Sequence, residues 1–208
     1  MAVHRDALID EEDNEEENAL FEEDGFVVLD SDIPPHLRDL AFAAQVGDVN
    51  SLSGALDNLN GSIDEPVEDG DTALHLVCLY GYLPCVQVSF LGANLEAKDE
   101  DGAIPLHDAC AGFVLPTAGF AEIVQLLLNS ANSAECVKRM LETVDAEGDT
   151  PLHHAARGEH ANVIRLLLAS GAPVTKPNVY GKNPSELPDP DTEASRILES
   201  AASAVSCQ

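Results

Sequence analysis

The sequence has no tryptophan and is poor in other aromatic and in basic residues. Its 208 residues include three tyrosines, six phenylalanines and ten lysines or arginines, against 38 acidic side chains, so the formal net charge is −28. A core therefore has to be built mainly from Ala, Leu and Val, which suits closely packed helices. Because so acidic a chain repels phosphate groups, we expect it to avoid nucleic acid and anionic membranes and to attract basic proteins.

Long apolar runs are also missing. No segment approaches the roughly 20 apolar residues of a transmembrane helix, and the N-terminus has no signal-peptide pattern. The five cysteines are an odd number and include no C-x-x-C pair, which indicates reduced thiols. We therefore expect a cytoplasmic or nuclear protein. Its oligomeric state is left open by the sequence.

The first part of the chain is a strongly acidic tail. Residues 1–32 carry thirteen acidic side chains and one arginine, a net charge of −12. We predict that residues 1–33 are largely disordered, because like charges at this density favour an extended chain. The apolar run Phe26–Leu29 has two interpretations: a linear motif similar to a SUMO-interacting motif, or a segment that folds back over the first structured unit.

A repeated tetrad appears after residue 70. Thr72–His75 recurs as Ile104–His107 and as Thr150–His153, and a degraded copy follows at Asn183–Pro184. Each tetrad lies two residues after a glycine, and glycine spacings are 32 and 33 residues for two of the intervals: Gly70 to Gly102 and Gly148 to Gly181. A fixed period of this length is the mark of a repeat architecture.

The tetrad predicts the start of a helix. Proline is tolerated at a first helical position, and a preceding threonine can cap the helix and bond the histidine of its own unit. Second helices are predicted at residues 123–128 and 163–168, the latter ending at Gly171. The pattern resembles the ankyrin-repeat family across roughly residues 36–201. The resemblance implies an all-α solenoid of helix-turn-helix units with hairpin-like turns.

The resemblance gives the predicted boundaries. An N-terminal cap covers residues 36–64, three repeats cover about 67–98, 99–144 and 145–177, and a C-terminal cap covers 178–201 of an ankyrin domain at 34–201, with a tail at 202–208. Terminal units of a solenoid need a polar outer face, so irregular caps are expected.

The second repeat departs from the family pattern. Leu106 and Leu152 are 46 residues apart. Part of the excess is residues 113–118, either a functional loop or a splice or gene-model artefact. The rest is a connection at 130–143 with its own helical pattern. Its residues 131–138 resemble a loop in a small acidic fungal ankyrin-repeat chaperone dedicated to a small-subunit ribosomal protein, which implies a basic client.

No residue pattern indicates catalysis. His75, His107 and His153 recur with the repeat, so we interpret them as structural. Thiols and imidazoles do not stand at zinc-ligand spacing, and no phosphate loop or nucleophile elbow is present. We therefore predict no catalytic residue, no metal and no cofactor.

The expected site is a protein-binding surface. In ankyrin stacks, the turns and the exposed side of the first helices form a concave face. Seven acidic residues flank the turn glycines, the inner helix adds Leu79 and Tyr80, and the last turn ends in an apolar pair, Val179 and Tyr180. The acidic set is Glu68, Asp69, Asp71, Glu100, Asp101, Glu147 and Asp149. We expect a non-enzymatic adaptor or chaperone for a basic client; the alternative is a general scaffold or signalling regulator whose partner is not especially basic.

Overall fold

A computed structural model describes residue 33 and residues 35–67, 69–89, 92–112 and 120–206. The predictions for the acidic tail with Phe26–Leu29, for Glu68 and for residues 113–118 lie outside these residues. The described residues contain ten α-helices, one 3₁₀ helix and no strand. None of these helices is both long enough and apolar enough to cross a bilayer.

The helices follow one another in short pairs. The first pair is α1 (Arg38–Val46) with α2 (Val49–Asp57), and the second is α3 (Ala73–Leu79) with α4 (Leu83–Ser89). The third pair is α5 (Pro105–Ala111) with α6 (Phe120–Ser130), and the fourth is α8 (Pro151–Arg157) with α9 (Ala161–Ala169). An additional helix, α7 (Ala134–Glu142), precedes α8. The 3₁₀ helix Pro184–Glu186 and α10 (Glu193–Ser206) end the fold.

The first helices of the pairs form an inner row, and the second helices form an outer row. The inner row contains α1, α3, α5, α8 and the 3₁₀ helix, and each packs on the next. The outer row contains α2, α4, α6, α9 and α10 in the same order. Small residues such as Ala109 and Ala155 are fully buried between inner helices, which lets these helices approach closely. The described part of the chain is therefore a stack of repeats.

A tight turn precedes α3, α5, α8 and the 3₁₀ helix, and each of these turns after the first bonds to the turn before it. Within the turns, the N–H of Asp99 donates to the carbonyl of Ala103 at 3.1 Å, and the other turns repeat this bond. Between turns, backbone N–H groups donate to the preceding turn: Glu100 to Asp69 at 3.3 Å, Ala146 to Asp101 at 2.7 Å and Val179 to Glu147 at 2.9 Å. The turns therefore form a continuous row.

Gly70 shows why the turns need glycine. Its φ is +80°, and a Cβ at this position would lie 2.5 Å from the backbone nitrogen of Glu100. Both the left-handed backbone and the close approach of the next turn exclude a side chain. The positive φ that Gly70 shares with Gly102, Gly148 and Gly181 favours glycine at this place in each turn.

The insertion in the second repeat is partly helical, as its pattern indicates. Ser133 caps α7 by accepting a hydrogen bond from the N–H of Cys136 at 3.1 Å. Met140 and Leu141 are buried, and Arg139 holds Glu96 with two bonds of 2.9 and 2.8 Å. At the other end of the stack, α10 continues to Ser206, past the predicted limit of the cap at residue 201.

Candidate functional site

The tetrad histidines connect neighbouring repeats. In His107, Nδ1 accepts from the N–H of Ile104 at 3.1 Å, so Nε2 carries the proton and donates to the carbonyl of Asp149 at 3.3 Å. His153 repeats the arrangement, with Nε2 donating to the Lys182 carbonyl at 3.1 Å. Where threonine begins the tetrad, its hydroxyl also bonds Nδ1, at 2.8 Å for Thr150. These histidines hold the next turn in place.

Burial keeps the tetrad histidines neutral. It lowers the pKa of His75, of His153 and of His107, the last to about 4, where the nearby His154 adds to the effect. A buried imidazole without access to solvent cannot serve as a general base for an external substrate, and His107 and His153 also use both ring nitrogens in structural hydrogen bonds. The geometry agrees with the structural role that the sequence indicates.

The predicted site residues lie along the row of turns and the adjacent inner helices. Six of them are exposed: Asp69, Glu100, Asp101, Glu147, Val179 and Tyr180. Asp71, Leu79 and Tyr80 are partly exposed. Asp149 differs from the rest because it is fully buried. Its burial removes it from any contact surface.

The acids of the third turn are paired within the chain. The Asp149 carboxylate accepts hydrogen bonds from Arg157 and, at 2.8 Å, from the Asn178 amide. Asp145 accepts from His154 Nε2 at 2.8 Å, and Glu147 lies 3.7 Å from Arg157. Arg157 and His154 belong to α8, so side chains of this inner helix bind the carboxylates of the turn that precedes it. The sequence pattern of acids without a base did not reveal this pairing.

A second acidic group, formed by Asp71, Asp99 and Asp108, lies between the first and second repeats. The sequence analysis did not identify Asp99 and Asp108 as members of it. Oxygen atoms of Asp71 and Asp108 and a ring nitrogen of His75 lie within 4.8 Å of one another. Burial, together with the negative charges of Asp71 and Asp99, raises the pKa of Asp108 well above its usual range. Aligning the repeats could have found these two residues, because Asp99 and Asp108 are at the positions equivalent to Asp145 and His154 in the next repeat.

Apolar side chains are exposed at both ends of the same surface. Phe42 and Val46, one turn apart on α1, are 56% and 49% exposed. Tyr80 stacks on Tyr82 with 6.0 Å between ring centroids. At the other end, Val179 and Tyr180 are 66% and 68% exposed. Sequence reasoning missed Phe42 and Val46, although their spacing of four residues on a predicted helix places them on one face.

The thiols offer no reactive group among the described residues. Cys78, Cys85, Cys110 and Cys136 are buried and form no disulfide. Burial raises the pKa of each, most strongly for Cys78 and Cys110 between α3 and α5. A thiol that stays protonated is a poor nucleophile and a poor metal ligand. The exposed groups of the candidate site are therefore acidic and apolar side chains on the turns and the inner helices.

A family model that describes three copies of the ankyrin repeat matches residues 40–133 and 118–178 of this chain. This protein belongs to the ankyrin-repeat family. The repeats of this family are protein-interaction modules, and the stacked helix pairs with a row of turns have the corresponding architecture.

Several curated ankyrin-repeat proteins are similar to this chain. The SMC5-SMC6 complex localization factor protein 1 of Bos taurus is 33% identical over 132 residues, which are 62% of this chain and 11% of that protein. The transient receptor potential cation channel subfamily A member 1 of Homo sapiens is 36% identical over 106 residues, 50% of this chain and 8% of the channel. The E3 ubiquitin-protein ligase KEG of Arabidopsis thaliana is 26% identical over 175 residues, which are 70% of this chain and 10% of the ligase. The chain thus spans about a tenth of the length of these relatives.

Proposed function

We propose that this ankyrin protein is a non-enzymatic adaptor or dedicated chaperone that binds a basic protein on its row of acidic turns. The observation that carries the proposal is the exposure of four acidic side chains on three consecutive turns that backbone hydrogen bonds hold together. These are Asp69, Glu100, Asp101 and Glu147. A fixed row of like charges raises the local potential and speeds encounter with an oppositely charged partner.

The mechanism needs no bond chemistry. Carboxylates on the turns neutralise a basic surface that would otherwise collect RNA, and a nucleic acid that binds the client more tightly releases it. The sequence resemblance to a fungal chaperone makes a small-subunit ribosomal protein the proposed client. Such a client would be met in the cytoplasm or the nucleus.

A second candidate function is a general scaffold whose partner is held by apolar contacts. Exposed Phe42, Val46, Val179 and Tyr180 favour it, because aromatic side chains are common anchors at protein interfaces. In that case Leu79 and Tyr80 on α3 would contribute more to affinity than the charges do. The two candidates differ in how they respond to salt.

The test is affinity capture with the full chain from a cell extract, at about 0.1 M and about 1 M salt, between which the Debye length falls from about 10 to about 3 Å. Mass spectrometry identifies the bound proteins in each sample. The proposal predicts basic proteins that are retained at low salt and lost at high salt. Neutral or acidic proteins retained equally at both salt concentrations would favour the apolar scaffold and contradict the charged one.

A further inference from the structure

The loop that follows α2 contains the only asparagine–glycine pair of the sequence, Asn60–Gly61. Both residues are exposed and lie outside the helices, since α2 ends at Asp57. Glycine has no side chain to shield its backbone nitrogen, so the side-chain carbonyl carbon of a preceding asparagine can approach that nitrogen closely. The pair therefore places an electrophilic carbon beside a nitrogen nucleophile in one exposed loop.

The loop is held by hydrogen bonds on both sides of this pair. Before it, the Asn58 side chain donates to the carbonyl of Gly54 at 2.7 Å. After it, the N–H of Glu65 donates to the carbonyl of Ser62 at 3.1 Å. In the part of the chain that the structure describes, the pair itself makes no hydrogen bond. A reaction between its two residues therefore requires no prior opening of structure.

Two chemically comparable pairs in the stack have a bound nitrogen. In Asp101–Gly102, the glycine N–H donates to the carbonyl of Asp99 at 3.1 Å within the second turn. In Asn50–Ser51, the serine N–H donates to Oδ1 of Asp48 at 3.4 Å, and both residues belong to α2. In each of them the nitrogen that would have to attack is held by a turn or a helix. Asn60–Gly61 differs because its nitrogen is not held.

We propose that Asn60 is a site of spontaneous deamidation through a cyclic imide. The backbone nitrogen of Gly61 forms a bond to Cγ of Asn60 while the Cγ–Nδ2 bond breaks, and the leaving nitrogen departs as ammonia with the proton of the Gly61 N–H. Water then adds to one of the two imide carbonyls and opens the ring. The product is aspartate, with the original main chain, or isoaspartate, whose main chain runs through the former side chain. No atom is oxidised or reduced.

The modified loop is the one that joins the N-terminal cap to the first repeat. The Glu65 carboxylate lies 3.0 Å from His36 Nε2, just before α1, and Asp64 Oδ1 accepts from the N–H of Asn94 at 2.7 Å. Isoaspartate lengthens the main chain shortly before these contacts, and both products add a negative charge. We expect the modified cap to be held less firmly. The inference is independent of the proposed function, because Asn60 is not among the proposed binding residues.

The experiment follows the full chain during storage in warm buffer at neutral and at mildly alkaline pH. Peptide mapping by mass spectrometry locates each deamidated asparagine, and an isoaspartyl methyltransferase with a labelled methyl donor measures isoaspartate. We expect Asn60 to react at least about tenfold faster than Asn50, which corresponds to about 1.4 kcal/mol for opening the backbone at Asn50. The rate at Asn60 should rise with pH, because the Gly61 nitrogen attacks after losing its proton.

Two matched glycine variants test the role of Gly61. A Cβ at this position would lie 2.6 Å from Glu65 Oε2, the end of a flexible side chain that can move away, so we expect Gly61→Ala to fold. Its methyl group hinders approach to the nitrogen, and the reaction at Asn60 should be about tenfold slower or more. The control is Gly54→Ala in α2, where a Cβ meets nothing within 4 Å. It should leave the rate at Asn60 unchanged.

Three results would overturn the inference. Equal rates at Asn60 and Asn50 would show that exposure and a free nitrogen do not single out this loop. An unchanged rate at Asn60 in Gly61→Ala would exclude attack by that nitrogen. The third is an isoaspartate content that does not fall in Asn60→Gln, and this comparison does not depend on how Gly61→Ala folds.

Discussion

Asp145 Oδ2 lies 2.8 Å from His154 Nε2, whereas Asp99, at the equivalent position one repeat earlier, has Asp108 in the place of that histidine. The two junctions share a backbone arrangement and differ in charge. Together with Arg157 beside Asp149, this makes the third turn internally paired and leaves the first two turns with acids near one another. On the surface that we propose for binding, Arg157 therefore lowers the negative charge at the third turn.

The first prediction concerns the buried acid of the third turn. Arg157→Ala removes the guanidinium from Asp149, which is fully buried and keeps only the Asn178 amide. We expect the free energy of unfolding to fall by about 2 kcal/mol, because a hydrogen bond to a buried charge is lost. Urea denaturation measures this change.

The matched control for that variant is Arg165→Ala. Arg165 pairs with Glu193, but both side chains are largely exposed, so the loss should be less than about 1 kcal/mol. Equal losses in the two variants would mean that Arg157 does not stabilise the buried carboxylate of Asp149.

The second prediction is a pH dependence carried by His107. Below its unfolded pKa, near 6.5, a histidine takes up a proton in the unfolded chain, but buried His107 does not do so until about pH 4. The free energy of unfolding is therefore not reduced by His107 above pH 6.5. It falls as the pH drops from 6.5 towards 4, because only the unfolded chain binds a proton there. The loss is on the order of 3 kcal/mol, from 1.36 kcal/mol per unit of pKa shift.

His107→Gln removes this titration, so the stability advantage of the unchanged protein over the variant should narrow as the pH falls from 6.5 to 4. The raised pKa of Asp108 acts in the opposite direction, because its folded form is protonated first, but both proteins retain it. Denaturation curves at several pH values provide the measurement, with exposed His36→Gln as the control. Parallel pH profiles for the unchanged protein and His107→Gln would show that His107 is not buried as a neutral ring.

The third prediction concerns the helix of the insertion. Met140 of α7 is fully buried, and α7 packs against α8. Met140→Ala should therefore cost about 2–5 kcal/mol, as expected for truncation in a core. Glu135→Ala, at an exposed position of the same helix, should change stability by no more than about 0.5 kcal/mol. A similar small effect at both positions would mean that α7 is not docked.

The repeat architecture was predictable because its contacts need the same residues in each unit. A histidine that bonds both its own turn and the next one has to stand at a fixed distance from the turn glycine, so the tetrads expose the period. The helix of the insertion was also predictable, because Cys136, Met140 and Leu141 recur at helical spacing and are buried.

The pairing of charges was not predictable from the same pattern. Asp71 and Asp149 have the same place after a turn glycine, yet one is partly exposed and the other is fully buried. Arg157 holds the Asp149 carboxylate from α8, and Asn178 holds it from the last turn. Contacts across repeats depend on side chains that the repeat pattern does not specify.

The most direct test of the charged surface compares two variants of equal net charge. One neutralises the turns with Asp69→Asn, Glu100→Gln, Asp101→Asn and Glu147→Gln. The other neutralises four exposed acids of α2, α6 and α7 with Asp57→Asn, Glu122→Gln, Glu135→Gln and Glu142→Gln.

The measurement is the dissociation constant of each variant for poly-L-lysine at low salt, by isothermal titration calorimetry. Four exposed ion pairs at about 0.4 kcal/mol each amount to about a tenfold change in affinity. We predict that the variant with neutralised turns loses about tenfold in affinity and that the variant with neutralised acids on α2, α6 and α7 loses less than about threefold. Equal losses in both variants would show that the overall charge attracts the polymer, and would contradict a binding site on the turns.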